Sequence, residues 1–116
     1  LLHALADALL SCFALGDIGV LFPPSDPAFA GLDSREIVRA VVERVRVVEP
    51  GAALVNVSAV VTLDAPKLGP LRERVAASVA QLMAVPASDV GITFKTSERL
   101  APDHVQASVV VLVRGA

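Results

Sequence analysis

The sequence has no tryptophan, no tyrosine, one methionine, one cysteine and four phenylalanines in 116 residues. With Cys12 alone, no disulfide can form within the chain, and such cysteine usage fits a reducing compartment. Ten basic residues stand against twelve acidic ones, a formal net charge of −2. Without a basic run or aromatic platforms for stacking bases, nucleic-acid binding is not expected. No apolar run reaches the roughly 20 residues that a membrane-spanning helix needs. The opening Leu1-Leu2-His3 has neither an initiator methionine nor a basic leader and reads as the interior of a helix, so further residues upstream are expected.

What remains is aliphatic. Apolar residues make up 54% of the chain, and its length suits one domain over residues 1–116. A domain this small hides only about 65% of the surface its unfolded chain exposes. So apolar a sequence is therefore expected to cover part of its surface with a partner.

Leu2, Leu5, Ala6, Leu9 and Phe13 recur at helical spacing, which predicts an amphipathic helix over residues 1–15 with Gly16 as its C-cap and Cys12 facing the core. Asp17-Ile18-Gly19 reads as a turn, and Phe22-Pro23-Pro24-Ser25-Asp26-Pro27 as a proline-held loop. A second helix starts at Asp33, with Glu36 completing a capping box, and buries Ile37, Val38, Val41, Val42 and Val45 before Pro50-Gly51 stops it. From Val55 the period falls to two. Val55, Val57, Ala59, Val61 and Leu63 share one face of a strand, and Asn56, Ser58 and Thr62 the other. Leu71, Val75, Val79 and Leu82 mark a third helix that ends before Pro86. Val90, Ile92 and Phe94 make a second strand, and Val105, Ala107, Val109, Val111 and Val113 a third. The order α-α-β-α-β-β predicts an α+β fold, one sheet with helices packed on one face. Val110 and Leu112 then lie on the uncovered face, which suggests sheet-to-sheet packing between subunits.

Four places hold residues suited to chemistry. His3 and Asp7 are four apart and share a helix face. They fit a zinc ligand beside an orienting carboxylate, or simply a structural hydrogen bond, since zinc takes three or four protein ligands. Asp17 before Gly19 suits a sugar hydroxyl near a close backbone approach, and equally an ordinary turn. Ala65-Pro66-Lys67 joins a strand to a helix, where amides and a cation suit phosphate, or a mere connection. Lys95-Thr96-Ser97-Glu98-Arg99 combines hydroxyls, cations and a hard oxygen ligand, or forms a solvated strand end. No glycine-rich phosphate loop, Cys-x-x-Cys pair or nucleophile elbow is present.

Taken in order, these segments resemble a known family. Leu2-His3-Ala4-Leu5-Ala6-Asp7-Ala8-Leu9-Leu10, Leu15-Gly16-Asp17-Ile18-Gly19, Phe22-Pro23 with Asp26-Pro27, and Asp33-Ser34-Arg35 are similar to the 2-C-methyl-D-erythritol 2,4-cyclodiphosphate synthase family. Asn56-Val57, Ala65-Pro66-Lys67 and Thr96-Ser97-Glu98-Arg99-Leu100 continue the likeness along nearly the whole chain. The resemblance implies a phosphorus-oxygen lyase of isoprenoid precursor synthesis. Its members convert 4-diphosphocytidyl-2-C-methyl-D-erythritol 2-phosphate to the cyclic diphosphate and CMP. They are homotrimers with each active site at a junction of two subunits, and they use zinc with magnesium or manganese.

By that resemblance His3 is a zinc ligand and Glu98 the ligand of magnesium, with Thr96 and Glu98 catalytic. Asp7, Asp17, Ile18, Gly19, Phe22 and Asp26 fall in the substrate site, Phe22 to Asp26 as a substrate loop. Leu63, Ala65, Pro66, Lys67, Leu68 and Gly69 match the cytidine-diphosphate pocket, and Lys95 and Ser97 flank it. Bacterial cytoplasm is the implied compartment, ahead of plastid. The sequence also departs from the family. Pro24 and Ser58 stand where aspartate is usual, and Phe94-Lys95 replace smaller residues near the base. Ala101-Pro102-Asp103-His104 is shorter than the family's segment and lacks its phosphate-binding arginine. The family's Asp-x-His zinc pair is also missing from these residues, which leaves an alternative: a non-catalytic trimeric relative that binds nucleotides or isoprenoid-type ligands.

Overall fold

The computed structural model describes residues 1–23, 25–29 and 31–115. Its elements are α1 (Leu2–Cys12), α2 (Ile18–Leu21), α3 (Ser34–Val48), β1 (Ala53–Thr62), α4 (Arg72–Met83), β2 (Val90–Lys95) and β3 (Gln106–Arg114). Short 3-10 turns at Pro27–Phe29, Gly69–Leu71 and Ala87–Asp89 join them. The fold is α+β with a small mixed sheet in the order β2-β1-β3. β1 runs parallel to β2, with α4 between them in sequence, and antiparallel to β3. The short α2 is an addition to the expected order.

The helices cover one face. Val57, Ala59, Val90 and Ile92 join Leu5, Leu9 and Leu10 of α1, Val38 and Val41 of α3, and Val79 and Met83 of α4 in one buried cluster. Each fully buried aliphatic side chain contributes about 1.5–3 kcal/mol of transfer free energy, an upper figure because unfolded chains are partly collapsed. The other face stays open: Val110 is 68% exposed and Leu112 53%.

Several local expectations need correction. α1 stops at Cys12 rather than at residue 15, and its cap is not Gly16. Ala14 takes the left-handed conformation at φ 53°. The Leu15 amide donates to the Leu10 carbonyl at 3.0 Å and the Ala14 amide to Ser11 at 3.2 Å. This six-to-one and five-to-two pair closes the last turn before the chain reaches glycine. Cys12 is exposed rather than in the core, because it lies about a quarter-turn from the centre of the buried Leu5-Ala6-Leu9-Leu10 face. The capping box at α3 is half formed. Asp33 accepts from the Arg35 amide at 2.8 Å, but the Glu36 carboxylate pairs with Arg39.

In β1 a bulge between Leu54 and Asn56 inserts one residue. Leu54, not Val55, therefore packs on the core with Val57 and Ala59, since one extra residue reverses the side-chain phase. Leu63 is buried but lies just past the strand, and Val105 is 63% exposed before β3 begins. Met83, which the spacing did not select, is buried, while Leu71 is exposed ahead of α4.

Leu10 is 0% exposed and Val47 68%. Leu10→Ala should cost about 2–5 kcal/mol and Val47→Ala under about 0.5 kcal/mol, read as urea unfolding midpoints. Equal losses would contradict this placement of the core.

Candidate functional site

The residues singled out by chemistry gather in two groups. The first lies where α1 meets α2 and the start of α3. Asp7 on α1 does not orient His3: its Oδ1 accepts from the Ile18 amide at 2.9 Å and so fastens α2 to α1. His3 is exposed, with Nε2 at 3.1 Å from the Ser34 hydroxyl. Asp17-Ile18-Gly19 is not a simple turn but the start of α2, and Asp17 Oδ1 caps it by accepting from the Val20 amide at 3.0 Å. A Cβ at Gly19 would lie 3.2 Å from that oxygen, so glycine leaves room for the cap. Phe22 stacks edge-on against Phe29 with ring centroids 5.2 Å apart. Asp26 accepts from the Ala28 amide at 2.9 Å. Pro24 lies outside the described residues.

The second group forms where β1 and β2 end side by side. A cleft of about 270 Å³ is lined by Leu63, Asp64 and Pro66 to Pro70 on one side and Phe94, Lys95 and Thr96 on the other. Arg72 from the start of α4 sits over the Phe94 ring, 5.9 Å from its centroid. Asp64, Lys67, Thr96, Glu98 and Arg99 line an adjoining cleft of about 420 Å³. Lys67, Lys95, Arg72 and Arg99 are all exposed around these openings, so an anionic ligand would meet more positive than negative charge. Ala65 and Ser97 line neither cleft. Another opening of about 270 Å³, between Leu9, Val42, Leu54 and Met83, is largely apolar and holds Arg46 as its charged side chain. Nothing there suggests chemistry.

Asp64 lay within the Leu63 to Gly69 segment that the resemblance assigns to the nucleotide pocket but had no role of its own there, and Arg72 was not singled out. The Asp64 Oδ1 accepts from the Ser97 amide at 2.7 Å, and the Ser97 hydroxyl donates to its carboxylate at 2.8 Å. The Ser97 side chain thus turns back into the protein, where its oxygen also accepts from the Ala101 amide at 3.0 Å. Thr96 Oγ1 accepts from the Glu98 amide at 3.2 Å. Glu98 and Arg99 follow at φ 56° and 69°, a left-handed pair costing about 1–2 kcal/mol per residue.

The two groups are separate. No hydrogen bond or ion pair among the described residues joins them, and no three His, Cys, Asp or Glu side chains among those residues come close enough to hold a metal. No helix among them is long and apolar enough to cross a membrane.

A profile of the YgbB family matches residues 1–114. The chain belongs to the YgbB family. Its curated relatives in this family are named 2-C-methyl-D-erythritol 2,4-cyclodiphosphate synthase. One from Thermus thermophilus is 54% identical over 115 residues, 98% of this chain and 74% of the relative. One from Deinococcus radiodurans is 57% identical over 103 residues, 89% of this chain and 63% of the relative. A solved 2C-methyl-D-erythritol-2,4-cyclodiphosphate synthase in its CDP-bound form matches with a TM-score of 0.90 at 50% identity, over 97% of this chain and 74% of that one. The bifunctional IspDF of Campylobacter jejuni matches at 0.90 and 26% identity, over 99% of this chain and 32% of that one. Family membership and α+β fold thus agree with the sequence resemblance.

The hydrogen bonds from Ser97 hold the Asp64 carboxyl below the ordinary aspartate value, the side-chain bond contributing most and the Arg99 amide least, against a small opposing effect of desolvation. A lowered folded-state value means that this stabilisation is complete above the unfolded value of about 3.9 and is lost as pH falls through the folded one. Thermal unfolding followed from about pH 6 to about pH 2 should lose stability more steeply in the wild type than in Asp64→Asn. Parallel curves would show that the carboxylate is not titrating against this network.

Proposed function

We propose that the chain is the catalytic domain of a 2-C-methyl-D-erythritol 2,4-cyclodiphosphate synthase. It converts 4-diphosphocytidyl-2-C-methyl-D-erythritol 2-phosphate to the cyclic diphosphate and CMP. The observation that carries this reading is the family match over residues 1–114. The cleft between the Lys67 loop and Thr96 supports it, because it presents cations and a hydroxyl where a diphosphate needs them. In this reaction an oxygen of the 2-phosphate attacks the β-phosphorus of the cytidine diphosphate. The bond between the β-phosphorus and the oxygen that bridges it to the α-phosphate breaks, and CMP departs with that oxygen.

The chain's own residues bind and orient. Lys67 places positive charge against the diphosphate, and the Leu63–Gly69 segment borders the nucleotide, with Lys95 at its edge. Thr96 gives a hydroxyl contact to phosphate, and Glu98 a carboxylate to a divalent cation. Asp17, Ile18, Gly19, Phe22 and Asp26 line the sugar and erythritol side, with Asp7 behind them. The main-chain bond from Ile18 to Asp7 supports a positioning part for that carboxylate.

Metal use is general in the family, with zinc proposed at His3 and magnesium or manganese at Glu98. The fit is incomplete. Zinc takes three or four protein ligands, and neither His3 nor Glu98 has two further ligating side chains beside it among the described residues. No step is therefore routed through a metal. The second reading is a trimeric relative that binds nucleotide without turning it over.

The uncovered sheet face is the proposed contact of a homotrimer, which would also bring the two residue groups together across a junction of two subunits. The compartment proposed is bacterial cytoplasm.

CMP release from the diphosphocytidyl substrate, with zinc and magnesium present, tests the reaction. Turnover that Glu98→Ala abolishes, with assembly unchanged, is the expected result. Lys67→Ala should weaken CDP binding roughly tenfold or more, since it removes a charge-assisted contact. CDP binding without CMP release would establish the binding relative, and neither binding nor release would reject both. Leu112→Asp should reduce the sedimenting species to a monomer. An unchanged assembly would refute the sheet-face contact.

A further inference from the structure

The last rung between β1 and β2 is the bond from the Leu63 amide to the Lys95 carbonyl, at 2.9 Å. Beyond it the two main chains no longer hold each other, yet the residues that face the cleft lie just there. One side chain continues the connection. Asp64 follows Leu63, and its carboxylate takes both hydrogens that Ser97 has to give, from the amide at 2.7 Å and the hydroxyl at 2.8 Å.

Ser97 in turn closes the turn that follows. Its hydroxyl oxygen accepts from the Ala101 amide at 3.0 Å, and its carbonyl accepts from the Leu100 amide at 3.1 Å. Between these anchors sit Glu98 and Arg99 with positive φ. Non-glycine residues stay in such conformations only where their surroundings over-determine them. Among the described residues, the side-chain hydrogen bonds that tie the Thr96–Ala101 segment to the rest of the protein run to Asp64.

We propose that Asp64 is a positioning residue, whose carboxylate sets the Thr96–Arg99 turn against the Lys67 loop so that the two grip a nucleoside diphosphate from opposite sides. This rests on the reading of that cleft as the nucleotide site. The geometry is direct. Thr96 and Glu98 flank the residue that Asp64 holds, and Lys67 lies three residues beyond Asp64 itself. A short carboxylate at this point ties both walls to one atom group. Release of Ser97 frees the turn to relax its left-handed pair and carries Thr96 and Glu98 out of register with Lys67.

The test combines local exchange with binding, on the wild type, Asp64→Ala, Asp64→Asn and Asp64→Ala/Ser97→Ala, below the unfolding temperature of all four. In Asp64→Ala the Ser97 and Ala101 amides should exchange on the order of tenfold faster while α3 amides are unchanged, because loss of charge-assisted bonds opens this turn locally. The dissociation constant for CDP with magnesium should rise on the order of tenfold, as misplaced binding groups lose affinity steeply. Asp64→Asn keeps an acceptor for the Ser97 amide and should fall between. Adding Ser97→Ala to Asp64→Ala should weaken CDP no further, since both act through one network. Unaltered exchange at Ser97 and Ala101, uniform acceleration through α3, or unchanged CDP affinity would each overturn the proposal. A wild type that binds no CDP overturns the nucleotide reading and the positioning role with it. Wild-type binding with an indifferent Asp64→Ala overturns the positioning role alone.

Discussion

The burial of Val57 and Ala59 beneath the helices governs everything else in this protein. β1 is the central strand, so its register fixes β2 on one side and β3 on the other. Val57 stands beside both Val90 and Val111, and Ala59 beside both Ile92 and Val109. These rows make one apolar face for α1, α3 and α4 to cover. A slip of one residue would turn that face to water, so the register is strongly specified. The small Ala59 in the middle row leaves space for larger side chains from the helices, in keeping with the close packing of protein interiors.

That register also decides where chemistry can sit. β1 and β2 are parallel and finish together at Thr62 and Lys95, which places the Asp64–Lys67 and Thr96–Arg99 segments side by side. Loops at strand ends carry binding groups because their main chain is free of the ladder. Here the freedom is curtailed by Asp64, which replaces the missing backbone rungs with side-chain bonds to Ser97. The same logic operates at the other group, where the Asp7 carboxylate holds the Ile18 amide and orders the short α2. Helices this short are marginal without such support. In both places a carboxylate is engaged with the main chain.

The surface ion pairs add little. Arg39 with Glu36 and Arg46 with Glu43 lie on the exposed side of α3, where such pairs contribute at most about 1 kcal/mol. The two faces of the sheet differ more, for Val110 and Leu112 are exposed while Val57 and Ala59 on the helix-covered face are buried.

Much of this was legible in the sequence because period and burial are linked. The 3.6-residue stripes gave α1, α3 and α4, and alternation gave the three strands and the face each would bury. The ordered segments from Leu2-His3-Ala4-Leu5-Ala6-Asp7 to Thr96-Ser97-Glu98-Arg99-Leu100 were enough to indicate the family, which the match over residues 1–114 bears out. Other features depended on groups far apart in the chain. The bulge at Val55 arises only when β1 pairs with β3, and the engagement of Asp64 needs Ser97, 33 residues away. Composition and spacing record what a residue is able to bond. Only the tertiary structure decides which partner a group meets, because Asp7 reaches the Ile18 amide and Asp64 the Ser97 amide only once the folded chain brings them within 2.7 to 2.9 Å.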